Sequence, residues 1–287
     1  MAKDIIIAVL ILVVLALVWV VVFDTNRFTV SRYEYKNNKI KKNFRAVVVA
    51  DLHNKSYGPD NIRLLEAIDK EKPDLILSTG DIINGKADAD MSVGLSFLSK
   101  LAEKYPVYAA NGNHEMRMEV YSDMYGDKYE RYTGALDEAG VKLLVNDRIR
   151  LEEYGVCIIG SELAKERYKR FGITPMEEGE LEKSLGKPEK DSFNILLAHN
   201  PDYFKDYVGY GPQLVLSGHI HGGIVRVPFV WRGVLSPNVS FFPKYSGGEY
   251  HIGETYMIVS RGLGIHTIPV RMFNPGDLVV IDFDTED

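Results

Sequence analysis

The chain has 287 residues, long enough for one large domain with a sizeable core. With 46% apolar and 26% charged residues it is neither disordered nor collagen-like, and one cysteine, Cys157, excludes a disulfide framework or thiolate metal cluster. The formal charge is −6, yet residues 24–45 hold seven Lys/Arg against Asp24 and Glu34; the remaining −11 falls on residues 46–287, a poor match to a nucleic-acid backbone.

Ile5 to Phe23 form an unbroken run of nineteen apolar residues. As a helix this spans roughly 28 Å, close to the hydrocarbon thickness of a bilayer. A buried core helix would keep a polar face, which this run lacks. A cleaved signal peptide is the other alternative, but bulky Trp19, Val21, Val22 and Phe23 stand where small residues would mark cleavage. The expectation is a single-pass anchor over 5–23 and a folded body over 24–287, with no linker to a further domain. The face of the membrane stays open. A positive-inside count puts residues 27–45 in the cytoplasm. However, 28–35 reads as a strand of the body, and the same cations would also suit anionic headgroups, at about 1 kcal/mol each.

After Arg45 one theme repeats: a short aliphatic run ending in polar and glycine residues, at 46–53, 75–81, 107–115, 195–200 and 214–221. Such runs suit strands buried on both faces. Helical spacing of Ile62, Leu65 and Ile68, and of Val93, Phe97 and Leu101, fills the gaps between the first three, with Pro73 and Pro106 as stops. The alternation predicts an α/β sheet with its chemistry at the strand C-terminal ends. Residues 142–146 and 148–152 around Asp147, then 155–161, 255–262 and 278–284, predict an antiparallel group and hence two packed sheets with helices outside. The charged stretches 116–138 and 162–192 are either loops and helices over the site mouth or solvated faces.

Five of the seven histidines stand at those strand ends beside a second metal-capable residue: Asp51-Leu-His53, Gly80-Asp81, Gly112-Asn113-His114-Glu115, His199-Asn200 and Gly218-His219-Ile-His221. On extended chain, alternate residues point the same way, so Asp51 and His53, or His219 and His221, share a direction. The glycines before Asp81, Asn113 and His219 leave room for a sharp turn. The set offers four imidazoles, two carboxylates and an amide oxygen, with His114 left over. Each piece is weak by itself; all five in order, each after an apolar strand, point to a metal-assisted reaction.

In these motifs the sequence resembles the calcineurin-like metallophosphoesterases over roughly residues 45–285. The resemblance implies a four-layer α/β sandwich of two sheets with two divalent transition-metal ions. Asp51, His53 and His221 would hold one ion, Asn113, His199 and His219 the other, and Asp81 would bridge them. Mixed oxygen and nitrogen donors suit Mn, Fe or Zn. Such a pair supplies a bridging hydroxide for in-line attack on phosphorus and neutralises the transition state. His114 would then be the catalytic donor to the leaving oxygen or the phosphoryl group. Relatives place an aspartate three residues after the bridging one; here Asn84 can accept a hydrogen bond but cannot stabilise an imidazolium.

The N-terminal apolar segment together with 218–223, Ser260-Arg-Gly-Leu-Gly264 and Pro269-Val-Arg-Met-Phe-Asn-Pro275 looks like the membrane-associated bacterial branch, similar to lipid-linked UDP-sugar pyrophosphohydrolases. Ile224 departs from the polar residue that relatives often have after the glycine pair. Arg261, Arg271 and Arg117 are either phosphate clamps or structural. Phe229, Trp231, Phe241, Phe242 and Tyr245 either line an acyl groove, dip into the interface or pack as a loop. His266 is a possible substrate contact outside the ligand set.

The expected function is a membrane-anchored dinuclear phosphoesterase cleaving a phosphodiester or pyrophosphate of a lipid-linked or amphiphilic substrate. The alternatives are a tethered enzyme for soluble phosphoesters or nucleotides, and a non-catalytic scaffold. No nucleic-acid partner is expected.

Overall fold

The computed structural model describes every residue except 170–171, 229, 231, 237–239, 266–268 and 287. Phe229, Trp231 and His266 therefore lie outside the described residues. Helix α1 (Ala2–Thr25) contains no glycine or proline to break it, and its apolar side chains are largely exposed until Asp24, which is buried against the body. Among the described residues it is the one helix long and apolar enough to cross a membrane.

The strands follow in chain order: β1 (Phe28–Asn37), β2 (Phe44–Val49), β3 (Leu75–Ser78), β4 (Val107–Ala109), β5 (Lys142–Leu143), β6 (Asp147–Leu151), β7 (Val156–Ser161), β8 (Phe193–Ala198), β9 (Leu214–Ser217), β10 (Gly248–Ile252), β11 (Thr255–Val259) and β12 (Gly276–Thr285). Among the described residues they form two six-stranded mixed sheets, ordered β1-β12-β2-β3-β4-β5 and β10-β11-β9-β8-β7-β6. Each has a parallel centre, β2-β3-β4-β5 in the first and β7-β8-β9-β11 in the second, so the C-terminal ends of these strands share one edge.

Helices α2 (Ile62–Glu71) and α3 (Ser92–Ala102) belong to the layer outside the first sheet, and α4 (Asn113–Val120) gives Met118 to that core and Met116 to the one outside the second sheet. The unbroken apolar runs are explained by burial on both faces. In β2, Val47 and Val49 pack toward the helices while Ala46 and Val48 pack between the sheets. In β8, Phe193, Ile195 and Leu197 face the inter-sheet core, and Leu196 and Ala198 face the outer layer of the second sheet.

Two expectations are corrected. Residues 142–146 and 148–152 are not hairpin partners: β5 runs parallel to β4 in the first sheet and β6 pairs antiparallel with β7 in the second. Between them Asn146 takes a left-handed conformation (φ 49°), and the chain crosses from sheet to sheet there. In α2 the buried face is Leu64, Ile68 and Glu71, while Ile62, the first residue of the helix, is exposed. Of the charged stretches, 116–138 is mostly helical and buries Met116, Met118, Tyr132 and Leu136, whereas 162–192 brings Tyr168 to the site described below.

The two sheets are joined by a core containing Val48, Leu77, Leu197, Leu216 and Phe283. Phe283 stacks on Phe44 at 4.4 Å and meets Phe193 of the opposite sheet edge-on at 5.8 Å. Phe283→Ala should therefore cost about 3–5 kcal/mol of unfolding free energy, read by denaturant titration, through the cavity left between the sheets.

Candidate metal centre

Each chemistry-bearing residue named from the sequence lies within five residues of a strand's C-terminal end, on the shared edge: Asp51 and His53 after β2, Asp81 after β3, Asn113 and His114 after β4, His199 after β8, His219 and His221 after β9. All eight are buried. The donor atoms of Asp51, His53 and His221 lie within 4.8 Å of one another, as do those of Asp81, His199 and His219, and those of His53, Asp81 and His114.

The pairs do not converge through extended chain. Asp51, His53, Asp81, His219 and His221 all have positive φ, between 46° and 70°. The strands have already ended, and left-handed turns direct the side chains inward. Such backbone costs about 1–3 kcal/mol per residue and clusters at functional sites. Hydrogen bonds hold two of the turns together: the N–H groups of Asp51, His53 and Asn54 donate to the carbonyls of Gly80, Asp81 and Ile82 at 3.0 Å each. Gly80 does turn sharply (φ 96°), as expected. Gly112 and Gly218 are needed for a different reason: a Cβ there would fall on the carboxylates of Asp81 and Asp51 respectively.

The carboxylates are anchored by one side and aimed by the other. Asp81 Oδ1 accepts from the His114 N–H (2.8 Å), while Oδ2 lies 3.1 Å from His199 Nε2, 3.7 Å from His53 Nε2 and 4.0 Å from His114 Nε2. Asp51 accepts from the His219 N–H at 3.0 Å, and its Oδ1 stands 3.5 Å from His221 Nε2 and 3.7 Å from His199 Nε2. Burial pushes the Asp51 carboxyl up to about 7, with the positive His199 opposing it. Burial also works against the Asp81 anion, but chiefly the charge of His199 holds its carboxyl well below the usual range. Burial likewise opposes the His199 imidazolium, yet Asp81 lifts that group to about 9.

The donor set fits divalent cations. His199 Nδ1 must carry a proton to donate to the Thr79 carbonyl (2.8 Å), so the proton that a metal would replace is the one on Nε2, which faces the two carboxylates. That Nε2 is out of line for a hydrogen bond to Asp81, and the buried Asn113 Oδ1 likewise has no hydrogen-bond partner. His53 Nε2 and His221 Nε2 approach to 3.0 Å. Donor separations of roughly 3.0–3.6 Å are those expected around a cation with bonds of about 2.0–2.2 Å. Cys157 is buried in the core outside the second sheet and contributes no sulfur.

His114 does not pair with Asn84. Its Nδ1 accepts the N–H of Gly85 at 2.6 Å, so a neutral ring carries its proton on Nε2, facing Asp81. The buried Asn84 Oδ1 has no hydrogen-bond partner. Asn200 also turns away, donating to the Arg167 carbonyl at 3.0 Å.

Sequence reasoning gave Glu115 no role and missed Tyr168. The Glu115 carboxylate is fully buried and accepts four backbone N–H groups, those of Gly112, Asp81, Ile82 and Ile83, at 2.9, 2.8, 2.9 and 3.3 Å. It ties the Asp81 turn to the start of α4. Burial, with the Asp81 charge adding, pushes its carboxyl up to about 7 against those four donors. The signal was present, since Gly112 and Glu115 stand at the N-cap and third positions of α4. Tyr168 packs edge-on to His219 at 5.3 Å, and nothing in its charged local sequence marks it.

Arg261 and Arg271 resolve to structural roles. Arg261 pairs with Asp277 at 2.8 Å, and the Arg271 guanidinium is buried among carbonyl oxygens. Arg117 is half-buried on α4. Tyr245 packs against Phe204 and Tyr250 in the core outside the second sheet, whereas Phe241 and Phe242 are exposed.

The calcineurin-like phosphoesterase profile matches residues 44–223, a span that contains all eight site residues. The chain belongs to this family. Its members use a dinuclear divalent metal centre, and the protein is a metal-dependent phosphoester hydrolase. F40B5.2 of Caenorhabditis elegans, named for metallophosphoesterases, is 29% identical over 83% of this chain, which spans about half (48%) of that relative's length. The phosphodiesterase YaeI of Escherichia coli is 29% identical over 77% of this chain and 75% of its own. The UDP-2,3-diacylglucosamine pyrophosphatase LpxG of Chlamydia muridarum is 23% identical over 93% of both.

The Glu115 contacts generate a test. Glu115→Gln turns one carboxylate oxygen into an N–H donor facing N–H donors, and should cost about 1–3 kcal/mol for each stranded group. Thermal unfolding should show the loss, and bound metal should fall with it because the Asp81 turn is released.

Proposed function

We propose that Asp51, His53 and His221 hold one divalent ion, that Asn113, His199 and His219 hold the second, and that Asp81 is shared. The observation that carries this is Asp81 Oδ2, which stands among imidazole nitrogens from both sheets at 3.1 to 4.0 Å. When bound, the ions supply an activated water and charge neutralisation at phosphorus. The residues of the chain do the rest. Thr79 holds the His199 tautomer, Glu115 holds the Asp81 backbone turn, and the His114 N–H holds the Asp81 carboxylate. His114, with the Gly85 N–H on Nδ1, presents Nε2–H as the donor to the leaving oxygen or phosphoryl group.

The substrate in this reading is an amphiphile with a phosphodiester or pyrophosphate bond, and the chain is a single-pass membrane protein with its anchor at 5–23 and its enzyme body at 24–287. Support comes from the exposed apolar α1 and from the likeness to LpxG along nearly its whole length. An N-terminal signal sequence would have the same composition, so mass analysis of the mature protein belongs to the test.

Metal content, turnover and inhibition together check the reading. Purified protein should contain two equivalents of transition metal and hydrolyse bis-p-nitrophenyl phosphate in a chelator-sensitive way. His114→Ala should cut turnover by ~10²–10⁴-fold with both metals retained, whereas Asp81→Ala should lose metal and turnover together. Loss of metal in His114→Ala would assign the roles differently. Longer acyl chains on a competing phosphodiester should inhibit more strongly; inhibition independent of chain length would point to soluble phosphoesters.

A further inference from the structure

The 269–275 run has so far had no part in the site, yet it lies between the end of α1 and both loops that carry the Asp51–His53–His221 cluster. Arg271 is fully buried, and among the described residues its guanidinium hydrogen-bonds only carbonyl oxygens: Arg261 (2.8 Å), Gly262 (3.0 Å), Gly264 (2.6 Å) and Asn274 (3.3 Å). The loop it holds supports Asp51 directly, since Leu263 N–H donates to the Ala50 carbonyl (2.9 Å) and Gly264 N–H to that of Asp51 (2.6 Å). Asn274, also fully buried, donates through Nδ2 to the His221 carbonyl (2.7 Å) and the Ile224 carbonyl (3.4 Å). Gly222 lies so close that a Cβ there would strike the Asn274 amide.

The other side of this strap is held by the last turn of the membrane helix. Asp24 Oδ2 accepts from the Asn274 N–H (3.3 Å), Thr25 Oγ1 from the Arg271 N–H (3.2 Å), and the Arg27 carbonyl from the Gly276 N–H (3.0 Å). Asp24 is itself buried and fixed by Arg27 at 2.8 Å. A helix that merely tethered the enzyme would need none of these bonds.

We infer that residues 271–274 are a positioning strap that couples the end of α1 to one half of the metal centre, with Asn274 setting the His221 turn and Arg271 the loop beneath Asp51. The inference rests on the ligand assignment above. Among the described residues, hydrogen bonds from 271–274 reach neither Asn113 nor His199 and meet the second-sheet metal loop at the His221 and Ile224 carbonyls, so the coupling is first to the ion of Asp51, His53 and His221; the other ion is linked only at one remove, through the His219 N–H that Asp51 accepts. Force or lipid contact on α1 then acts on that ion's affinity, and the anchor is part of the catalytic scaffold.

The experiment is Mn²⁺ titration of the full chain in detergent micelles against a competing chelator, with thermal unfolding of the metal-free protein alongside. Asn274→Ala should weaken one of two ions by ~10–100-fold, the usual effect of removing a group that orients a ligand, and shift the other by less than about a tenth of that factor. Asp24→Ala/Thr25→Ala, which removes both acceptors without entering the strap, should weaken the same ion and decides the matter if Asn274→Ala does not fold. His221→Ala identifies that ion: adding Asn274→Ala to it should change little further at the ion that remains. A purely structural role would weaken both ions together in step with the unfolding midpoint, and that result, or wild-type affinities in both variants, overturns the coupling. A wild-type chain without bound Mn²⁺, or a His221→Ala chain that keeps two tight ions, overturns the ligand assignment instead.

Discussion

The face-to-face packing of the two sheets is the constraint on which the site depends. Asp51, Asp81 and Asn113 come from strands of the first sheet and His199, His219 and His221 from strands of the second. Neither sheet carries a complete donor set. The distance from Asp81 to His199, and from His53 to His221, is decided by how Val48, Leu77, Leu197, Leu216 and Phe283 fill the space between. A dense interior holds such distances to a few tenths of an ångström, and that is the tolerance coordination demands.

Bringing so many polar groups into a buried place is costly, and the backbone carries much of the compensation. Glu115 receives four N–H donors, Asp81 the N–H of His114, and Asp51 that of His219. These bonds satisfy one side of each carboxylate and leave the other side for the centre. The left-handed turns at five of the donor residues add strain, and the cations that this family binds repay both strain and desolvation when they bind. Substitutions in the supporting N–H groups and glycines therefore act at the metal without touching it.

The departure at Asn84 illustrates how the fold reassigns a role. A carboxylate partner would let the His114 ring take up a second proton with charge stabilisation. Here Gly85 N–H occupies Nδ1, which fixes the neutral tautomer with its proton toward the site. The ring is oriented by a backbone group rather than a side chain. The strap at 271–274 extends the same logic outward, from metal loops to the helix that precedes the body.

What the sequence by itself determined was the local and periodic part. Apolar runs set the buried strands, Pro73 and Pro106 marked the limits of the first helices, and the five polar motifs marked the strand ends that carry chemistry. Those signals are short-range, so they can be read without a partner. The tertiary structure alone decided which sheet each strand joined, as between β5 and β6, where a three-residue link ending in left-handed Asn146 takes the chain from one sheet to the other. It also decided how Asp51 reaches His53, because positive φ is selected by contacts with the neighbouring turn rather than by residue type. Arg271 and Arg261 were ambiguous for the same reason: a guanidinium reads alike in sequence whether it meets a phosphate or a ring of carbonyls. Only long-range packing, between residues more than two hundred positions apart in the case of Asp51 and Gly264, distinguishes the two.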